Sequence, residues 1–244
     1  MVGDRIMASI DAEKRLATAR NHTATHLLHK ALRKVLGDHV NQAGSLVTPE
    51  RLRFDFTHFS SIEPEQLEMI ENQVNGKILE NIPVSVEEMP VEEAKKAGAM
   101  ALFGEKYKDT VRVISVGAYS KELCGGTHLK STGQAGLIKI LGESGISAGV
   151  RRIEALTGFN AISYFRNRED MLKKAADAAK STPEELHHKI ENLSDEIKLL
   201  KKDIEQLNSK LLRSSLDSII ADAQEVKGFK VVAAKMGDMD MNAL

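Results

Sequence analysis

The chain has 244 residues, and its contents of 42% hydrophobic and 28% charged residues are ordinary for a globular protein and exclude wholesale disorder. The formal net charge of −1 excludes nucleic-acid binding through a large basic field, so any such contact must use a local basic patch. Cys124 is the single cysteine, which excludes an intramolecular disulfide and leaves its thiol as a candidate ligand or nucleophile. We expect a cytoplasmic protein without a membrane partner, because the sequence contains neither a signal peptide nor an apolar run of membrane length.

The first 158 residues predict a mixture of strands and helices. Residues 5–10 are expected to form a short strand, left over from a domain upstream. A helix then begins after Asp11, a good N-cap residue, and continues to Gly37, which is typical of a C-cap. The remaining pattern predicts strands at 40–47, 51–57, 84–88, 111–116, 136–141 and 150–156, with helices at 64–80 and around 91–101. This mixture indicates an α+β fold, a two-layer α/β sandwich, for a domain that covers residues 1–158.

Residues 159–225 predict a helical hairpin or a coiled coil. A first helix is expected at 159–180, and Thr182 and Pro183 then begin a second one. The second helix carries a heptad seam, defined by Leu186, Ile190, Leu193, Ile197, Leu200, Ile204, Leu207 and Leu211. The seam needs a partner, which is either helix 159–180 folded back on its first half or a second chain. We expect both, with a homodimer contact through the distal seam or the C-terminal domain.

Residues 226–244 return to a strand pattern, with a strand predicted at Lys230–Ala234. The chain ends soon after this strand, too soon to complete a domain, so we expect the truncated start of a C-terminal domain.

Two short motifs place four metal-binding residue types in the domain of residues 1–158. His22 and His26 are four residues apart in the first helix, so both imidazoles lie on one face about one turn apart. Cys124 and His128 have the same spacing across two glycines that allow a tight turn. Three imidazoles and one thiolate suit a tetrahedral zinc ion. The residues alone leave a zinc site and a buried cysteine with unrelated histidines equally open.

The motifs also carry a family resemblance. Four strings resemble the editing domain of alanine–tRNA ligases: Arg20–Leu28, Gln42–Val47, Arg53–His58 and Cys124–His128. Gly149–Ala155 is similar to the segment that closes that domain, and Lys230–Lys235 resembles the start of the family's C-terminal domain. These strings occur in the family's order and are spread over nearly the whole chain.

The resemblance implies a cofactor, an activity and a partner. It implies that His22, His26, Cys124 and His128 bind zinc, and that the domain deacylates alanine tRNA wrongly charged with serine or glycine. The acceptor end of that tRNA would be the partner, and the attachment of alanine with ATP would belong to a part of the enzyme absent here. Four protein ligands form a closed set, so zinc could either anchor the substrate or activate water after one ligand yields.

Two polar residues are candidates for catalytic hydrogen bonds to the substrate. Gln42 lies in the strand next to the ligand helix and matches a position that the resemblance implicates in recognition. Thr25 lies between the two histidines of the helix and could bind a substrate hydroxyl or amine. An alternative for Thr25, at least as well supported, is a hydroxyl that bonds back to the helix backbone.

Further residues are candidates for tRNA phosphate contacts. Arg151 and Arg152 have guanidinium groups suited to phosphate, and because successive strand residues face opposite sides, only one is expected at the site; we assign Arg151. Gly145 and Gly149 belong to a glycine-rich stretch that resembles a phosphate-cradling loop. His29 is expected to be a solvated helix residue without a role in the site.

Two other functions compete with an editing region of a ligase. One is a free-standing trans-editing deacylase of the same superfamily, against which the heptad and the partial third domain argue. The other is a non-catalytic, zinc-stabilised module for tRNA binding or dimerisation. Release of the amino acid from serine-charged tRNA distinguishes the enzymes from this module.

Overall fold

The structure is a computed structural model that describes residues 4–100, 109–221 and 223–232. The chain divides into two compact units, Met1–Arg168 and Glu169–Leu244, called here the N-terminal and C-terminal units. The elements in chain order are α1 (Ala12–Leu36), β1 (Gln42–Val47), β2 (Leu52–Thr57), α2 (Pro64–Leu79), β3 (Val84–Pro90), α3 (Val91–Lys96), β4 (Thr110–Val116), β5 (Ser120–Leu123), a 3₁₀ turn (Thr132–Ala135), β6 (Ile138–Ser147), β7 (Val150–Thr157), α4 (Gly158–Ala178), α5 (Leu186–Ala221), β8 (Gln224–Val226) and β9 (Phe229–Val231).

Helix α1 has the two ends that its sequence predicts. The Asp11 carboxylate accepts hydrogen bonds from the backbone N–H groups of Glu13 and Lys14, at 3.1 and 3.0 Å, and so caps the first turn. At the other end Gly37 adopts a φ of 117° and donates its N–H to the carbonyl of Arg33. This conformation favours glycine, so the helix ends at the residue where the chain can turn away.

A four-stranded antiparallel sheet lies under α1 and α2 and has the strand order β1-β2-β7-β6. In β2 the side chains of Leu52, Phe54 and Phe56 are completely buried, which confirms the predicted alternation. Asp55 points to the other face, where Arg152 of β7 donates two hydrogen bonds to its carboxylate at 2.7 and 2.8 Å. These hydrogen bonds hold the pKa of Asp55 below its usual value.

A second antiparallel sheet, of order β3-β4-β5, completes the N-terminal unit and has its own small apolar cluster with α3. Helix α1 contacts β5 as well as β1, β2 and β7, so it lies between the two sheets. Helices packed on antiparallel sheets confirm the α+β class. Strand β5 is a finding of the structure, because its four residues, Ser120–Leu123, carry no regular apolar alternation.

The structure corrects three predictions for the N-terminal unit. The strand expected at 5–10 is wrong: residues 4–11 have no regular structure, and Ile6 and Met7 are exposed, because no described strand pairs with this segment. The helix expected around 91–101 ends at Lys96, and residue 101 lies outside the described residues. The glycine-rich stretch 142–149 is no open loop, since it pairs with β7 as far as Ser147.

The C-terminal unit leaves most of the predicted heptad seam exposed. Helix α5 has 36 residues, and Thr182 Oγ1 accepts a hydrogen bond from the N–H of Glu185 just before it. Leu186, at the start of α5, is buried, but the next seam residue, Ile190, is 51% exposed. The following seam residues, Leu193, Ile197, Leu200, Ile204, Leu207 and Leu211, are exposed as well. The helical hairpin and the coiled-coil partner therefore both stay predictions.

The chain turns back after α5 in a short hairpin of β8 and β9. Lys227 and Gly228 at its turn both have positive φ, 53° and 84°, as two-residue hairpin turns of the favoured hand require. The predicted strand at Lys230–Ala234 begins one residue early and ends at Val231, and residues 233–244 lie outside the described part. Among the described residues, no helix is both long and apolar enough to cross a membrane.

Candidate metal centre

The structure brings the four predicted metal-binding residues together between α1 and the end of β5. The donor atoms of His22, His26, Cys124 and His128 all lie within 4.8 Å of one another. The Sγ of Cys124 is 3.3 Å from Nε2 of His22 and 3.3 Å from Nε2 of His128. A tetrahedral zinc ion separates its nitrogen and sulfur ligands by roughly 3.3–3.6 Å, so these two distances fit such an ion.

The loop from Cys124 to His128 is shaped by glycine and by one arginine. A Cβ atom on Gly126 would overlap the imidazole of His22, so only a glycine at this position allows the ring to come so close. The guanidinium of Arg112 donates hydrogen bonds to the carbonyls of Cys124, at 3.2 Å, and of Gly126. The loop is therefore held against α1 on one side and against β4 on the other.

Thr23 orients the last histidine of the cluster. Its hydroxyl lies 3.3 Å from Nδ1 of His128 and accepts a hydrogen bond from the N–H of Leu129 at 3.1 Å. With that lone pair occupied, a second lone pair of the hydroxyl can accept the N–H of Nδ1. The other ring nitrogen, Nε2, then faces Cys124 with a free lone pair, which is the form that binds a metal.

Glu122 is a functional candidate that the sequence analysis missed. Its carboxylate, in a residue only 5% exposed, lies 2.6 Å from Nδ1 of His26 and accepts a hydrogen bond from the hydroxyl of Ser120 at 3.0 Å. Nδ1 of His29 is 3.4 Å from its other oxygen. No local signal in the sequence points to it, because β5 has no regular apolar alternation and the contact joins residues 96 apart in the chain.

One buried nitrogen of the cluster supports a metal ion directly. Nε2 of His26 is buried and has no hydrogen-bond partner among the described residues, while Nδ1 of the same ring is engaged by Glu122. Such an unsatisfied buried atom is costly unless something binds it. A metal ion at the centre of the four residues would bind it, and three nitrogens with one sulfur are donors that zinc accepts.

The charges in the cluster also favour a cation. Burial raises the pKa of the Cys124 thiol, but the neighbouring imidazoles of His128, His22 and His26 outweigh burial and lower the pKa to about 3. Burial lowers the pKa of His128 to about 4. Burial also lowers the pKa of His26, but Glu122 and Cys124 outweigh it and raise the pKa. The lowered pKa values of Cys124 and His128 favour the thiolate and the neutral imidazole, which are the states that ligate metals, whereas the raised pKa of His26 favours a proton that a metal ion would have to displace.

Of the two predicted catalytic residues, neither has a hydrogen bond to the cluster among the described residues. The hydroxyl of Thr25 is buried and donates to the carbonyl of Asn21 at 2.9 Å, which is the alternative that the sequence left open. Gln42 is half-buried at the start of β1, opposite Phe56 and next to a bulge. The prediction for His29 is wrong: the residue is 2% exposed and packs between Glu122 and the core.

The predicted phosphate contacts are engaged within the protein. Arg151 donates two hydrogen bonds to the carboxylate of Glu143, one of them at 2.7 Å, so its guanidinium already has an anionic partner. Gly145 lies in β6 opposite Arg151, and a Cβ there would come within 2.8 Å of that guanidinium. Gly149 has a φ of 73° in the turn between β6 and β7. The two glycines therefore lie in a hairpin, and their contact with tRNA phosphates stays a prediction.

Fold and site together define an α+β protein with a partly buried cluster of three imidazoles and one thiolate that could hold a metal ion. Residues 111–154 run from β4 to β7, include Cys124 and His128, and match the family described as the threonyl and alanyl tRNA synthetase second additional domain.

Relatives extend the match to the rest of the chain. An alanine–tRNA ligase of Acetivibrio thermocellus is 58% identical over 99% of this chain, and one of Carboxydothermus hydrogenoformans is 54% identical over 100%. Alanine–tRNA ligase 1 of Lachnoclostridium phytofermentans is 52% identical over 100% of the chain. The chain is thus homologous, over its whole length, to a segment of alanine–tRNA ligases, and the resemblance of its motifs is confirmed. It spans 28% of the length of each of these relatives.

Proposed function

We propose that the N-terminal unit edits alanine tRNA by hydrolysing the ester bond to a wrongly attached serine or glycine. Homology to alanine–tRNA ligases supports this, because a pocket built for alanine cannot exclude the smaller glycine and rejects an added hydroxyl poorly. A second, hydrolytic site is the available remedy. The aminoacyl ester at the acceptor end of the tRNA is then the substrate, and the tRNA is the partner.

The observation that carries the proposal is the convergence of His22, His26, Cys124 and His128 on one point. Bound there, zinc would supply positive charge, either to anchor the substrate or to lower the pKa of a water molecule. The chain's own residues set the geometry: Arg112 holds the loop of Cys124, and Glu122 and Thr23 orient His26 and His128.

Gln42 is proposed as the residue that recognises the substrate. Its side-chain amide offers two donors and one acceptor, which can bind the hydroxyl of a serine ester or the amino group that all substrates share. It lies at the start of β1, and α1 packs on this strand, so the sheet edge that carries it adjoins the helix of the metal cluster. Thr25 is left out of the proposed machinery, because Asn21 already accepts the hydrogen bond of its hydroxyl.

The test compares deacylation of alanine tRNA charged with serine, glycine or alanine, each followed by release of the radiolabelled amino acid. We expect wild-type protein to hydrolyse the serine and glycine esters faster than the alanine ester, and Cys124→Ala to lose both zinc and the activity. The control is Ser209→Ala on the exposed surface of α5. Its hydroxyl donates to the carbonyl of Glu205 in the same helix, and the variant should act like wild type. Equal, background rates for all three esters with wild-type protein would overturn the proposal.

The number of metal ligands supports a second candidate function. Four protein ligands are the arrangement of a structural zinc site, which favours a non-catalytic module that binds tRNA. The same assay decides, because such a module would bind alanine tRNA and require zinc for stability without releasing the amino acid. We also propose that the heptad seam of α5 contacts a second chain. This contact does not depend on whether the N-terminal unit hydrolyses the ester.

A further inference from the structure

Glu122 occupies a position that only the folded chain creates. We infer that Glu122 is the positioning residue of the metal centre: it holds the His26 ring in the one tautomer and orientation that presents Nε2 to the metal. This inference rests on the metal centre of the proposed function but not on the deacylation. A carboxylate that accepts the N–H of one ring nitrogen fixes the lone pair on the other, which raises the basicity of the ligand.

The geometry supports a fixed carboxylate. Strand β5 pairs with β4 on one edge, where Glu122 is opposite Ile114, and on the other edge it forms an isolated bridge with Met100. The backbone of Glu122 is therefore held from both sides. Its side chain crosses to α1 and reaches Nδ1 of His26 at 2.6 Å.

Two further side chains lie at the other oxygen of the carboxylate. The hydroxyl of Ser120 donates to Oε1 at 3.0 Å, and Nδ1 of His29 lies 3.4 Å from the same atom. Oε2 is thereby left to His26. His29 is 2% exposed, and neither of its ring nitrogens forms a hydrogen bond in the described part, so a small movement toward Glu122 would satisfy Nδ1. A carboxylate with His26 and Ser120 as hydrogen-bond partners is acceptor-only, which fits the ionised form.

A purely structural role is the competing explanation. Buried ion pairs can be replaced by apolar residues without loss of stability, so burial alone says nothing about the metal. The two roles differ in what they predict for the cluster. A positioning carboxylate affects zinc affinity and the His26 tautomer, whereas a structural one affects only the unfolding of the chain.

The experiment measures zinc affinity by competition with a chromogenic chelator, and the His26 tautomer by long-range ¹H–¹⁵N correlation spectra of the imidazole. We expect Glu122→Gln to weaken zinc binding by roughly 10- to 100-fold, as removal of such partners does elsewhere, and to shift the ring from the Nδ1–H form to a mixture. Ser120→Ala, which removes one donor without replacing the carboxylate, should cause a smaller loss and carries the test if Glu122→Gln fails to fold.

The matched control is Glu71→Gln on α2. Glu71 is also a largely buried carboxylate with two donors, Lys139 Nζ at 2.9 Å and the N–H of Ile140 at 2.6 Å, and both donors lie on β6 of the other sheet. This variant should lower the unfolding midpoint but leave zinc affinity unchanged. Wild-type affinity and an unchanged tautomer in the Glu122 and Ser120 variants would overturn the inference, as would a wild-type protein that binds no zinc. Zinc binding without deacylation would overturn only the proposed function.

Discussion

Replacement of Gly126 by alanine tests the metal centre through the backbone that supports it. The new Cβ would overlap Cε1 and Nδ1 of His22 and would lie 3.3 Å from its Nε2. Non-bonded carbon atoms keep about 3.5–4.0 Å apart, so the imidazole or the loop must move. The loop cannot retreat freely, because Arg112 binds the carbonyls on both sides of Gly125. We therefore expect His22 to be displaced from the cluster.

The expected loss of zinc affinity in Gly126→Ala follows from the displacement of one ligand in four. Removal of a group that merely orients a ligand weakens metal binding by about 10- to 100-fold, and displacement of the ligand itself should reach at least the upper figure. A 100-fold loss corresponds to roughly 2.8 kcal/mol. Because metal binding stabilises the folded state, the unfolding midpoint at saturating zinc should fall as well.

Gly125 provides the matched control. A Cβ at Gly125 meets nothing within 4 Å, and neither glycine has a positive φ, so the backbone accepts alanine at both positions. Chelator competition should show Gly126→Ala with weakened zinc binding and Gly125→Ala with the affinity of wild type. Equal affinities in both variants, or equal losses, would refute the reasoning, because the two substitutions differ only in the contact with His22.

Three other predictions concern the substrate, the sheet and the long helix. Gln42→Ala should change the ratio of serine to alanine release, whereas Ser45→Ala on the exposed side of the same strand should not; matching ratios would show that the pocket is elsewhere. The stability that Asp55 gains from its arginine partner is present above its unfolded pKa of about 3.9 and is lost as the pH falls below that value. Between pH 7 and pH 3 the free energy of unfolding should therefore fall more for wild type than for Asp55→Asn, and parallel losses would contradict this. Light scattering should show a dimer that Ile204→Lys combined with Leu207→Lys makes monomeric, and a monomeric wild type would exclude the seam as a dimer contact.

Local patterns predicted the parts of the fold that depend on neighbours in the chain. The limits of α1 follow from a cap at Asp11 and a glycine at residue 37, and both are properties of single turns. The buried face of β2 follows from the alternation of Leu52, Phe54 and Phe56. The predicted strand at 5–10 has a similar apolar pattern but no partner among the described strands, so the pattern was not sufficient.

Other elements depend on contacts between distant segments and gave no local signal. β5 has four residues, and its strand conformation comes from pairing with β4. The stretch 142–149 resembles a loop in composition but pairs with β7 for most of its length. His29 is a polar residue on a helix, and only the packing of α1 between two sheets shows that it is buried.

For the metal centre, the sequence by itself determined the types of donor and their spacing: two imidazoles one helical turn apart, and a thiolate and an imidazole across two glycines. The tertiary structure decided that these pairs meet and which ring nitrogen of His26 remains free. That choice depends on Glu122, which is 96 residues away in the chain and 2.6 Å away in space. A neutral imidazole can carry its proton on either ring nitrogen until a partner accepts a hydrogen bond from one of them, and only the fold supplies that partner.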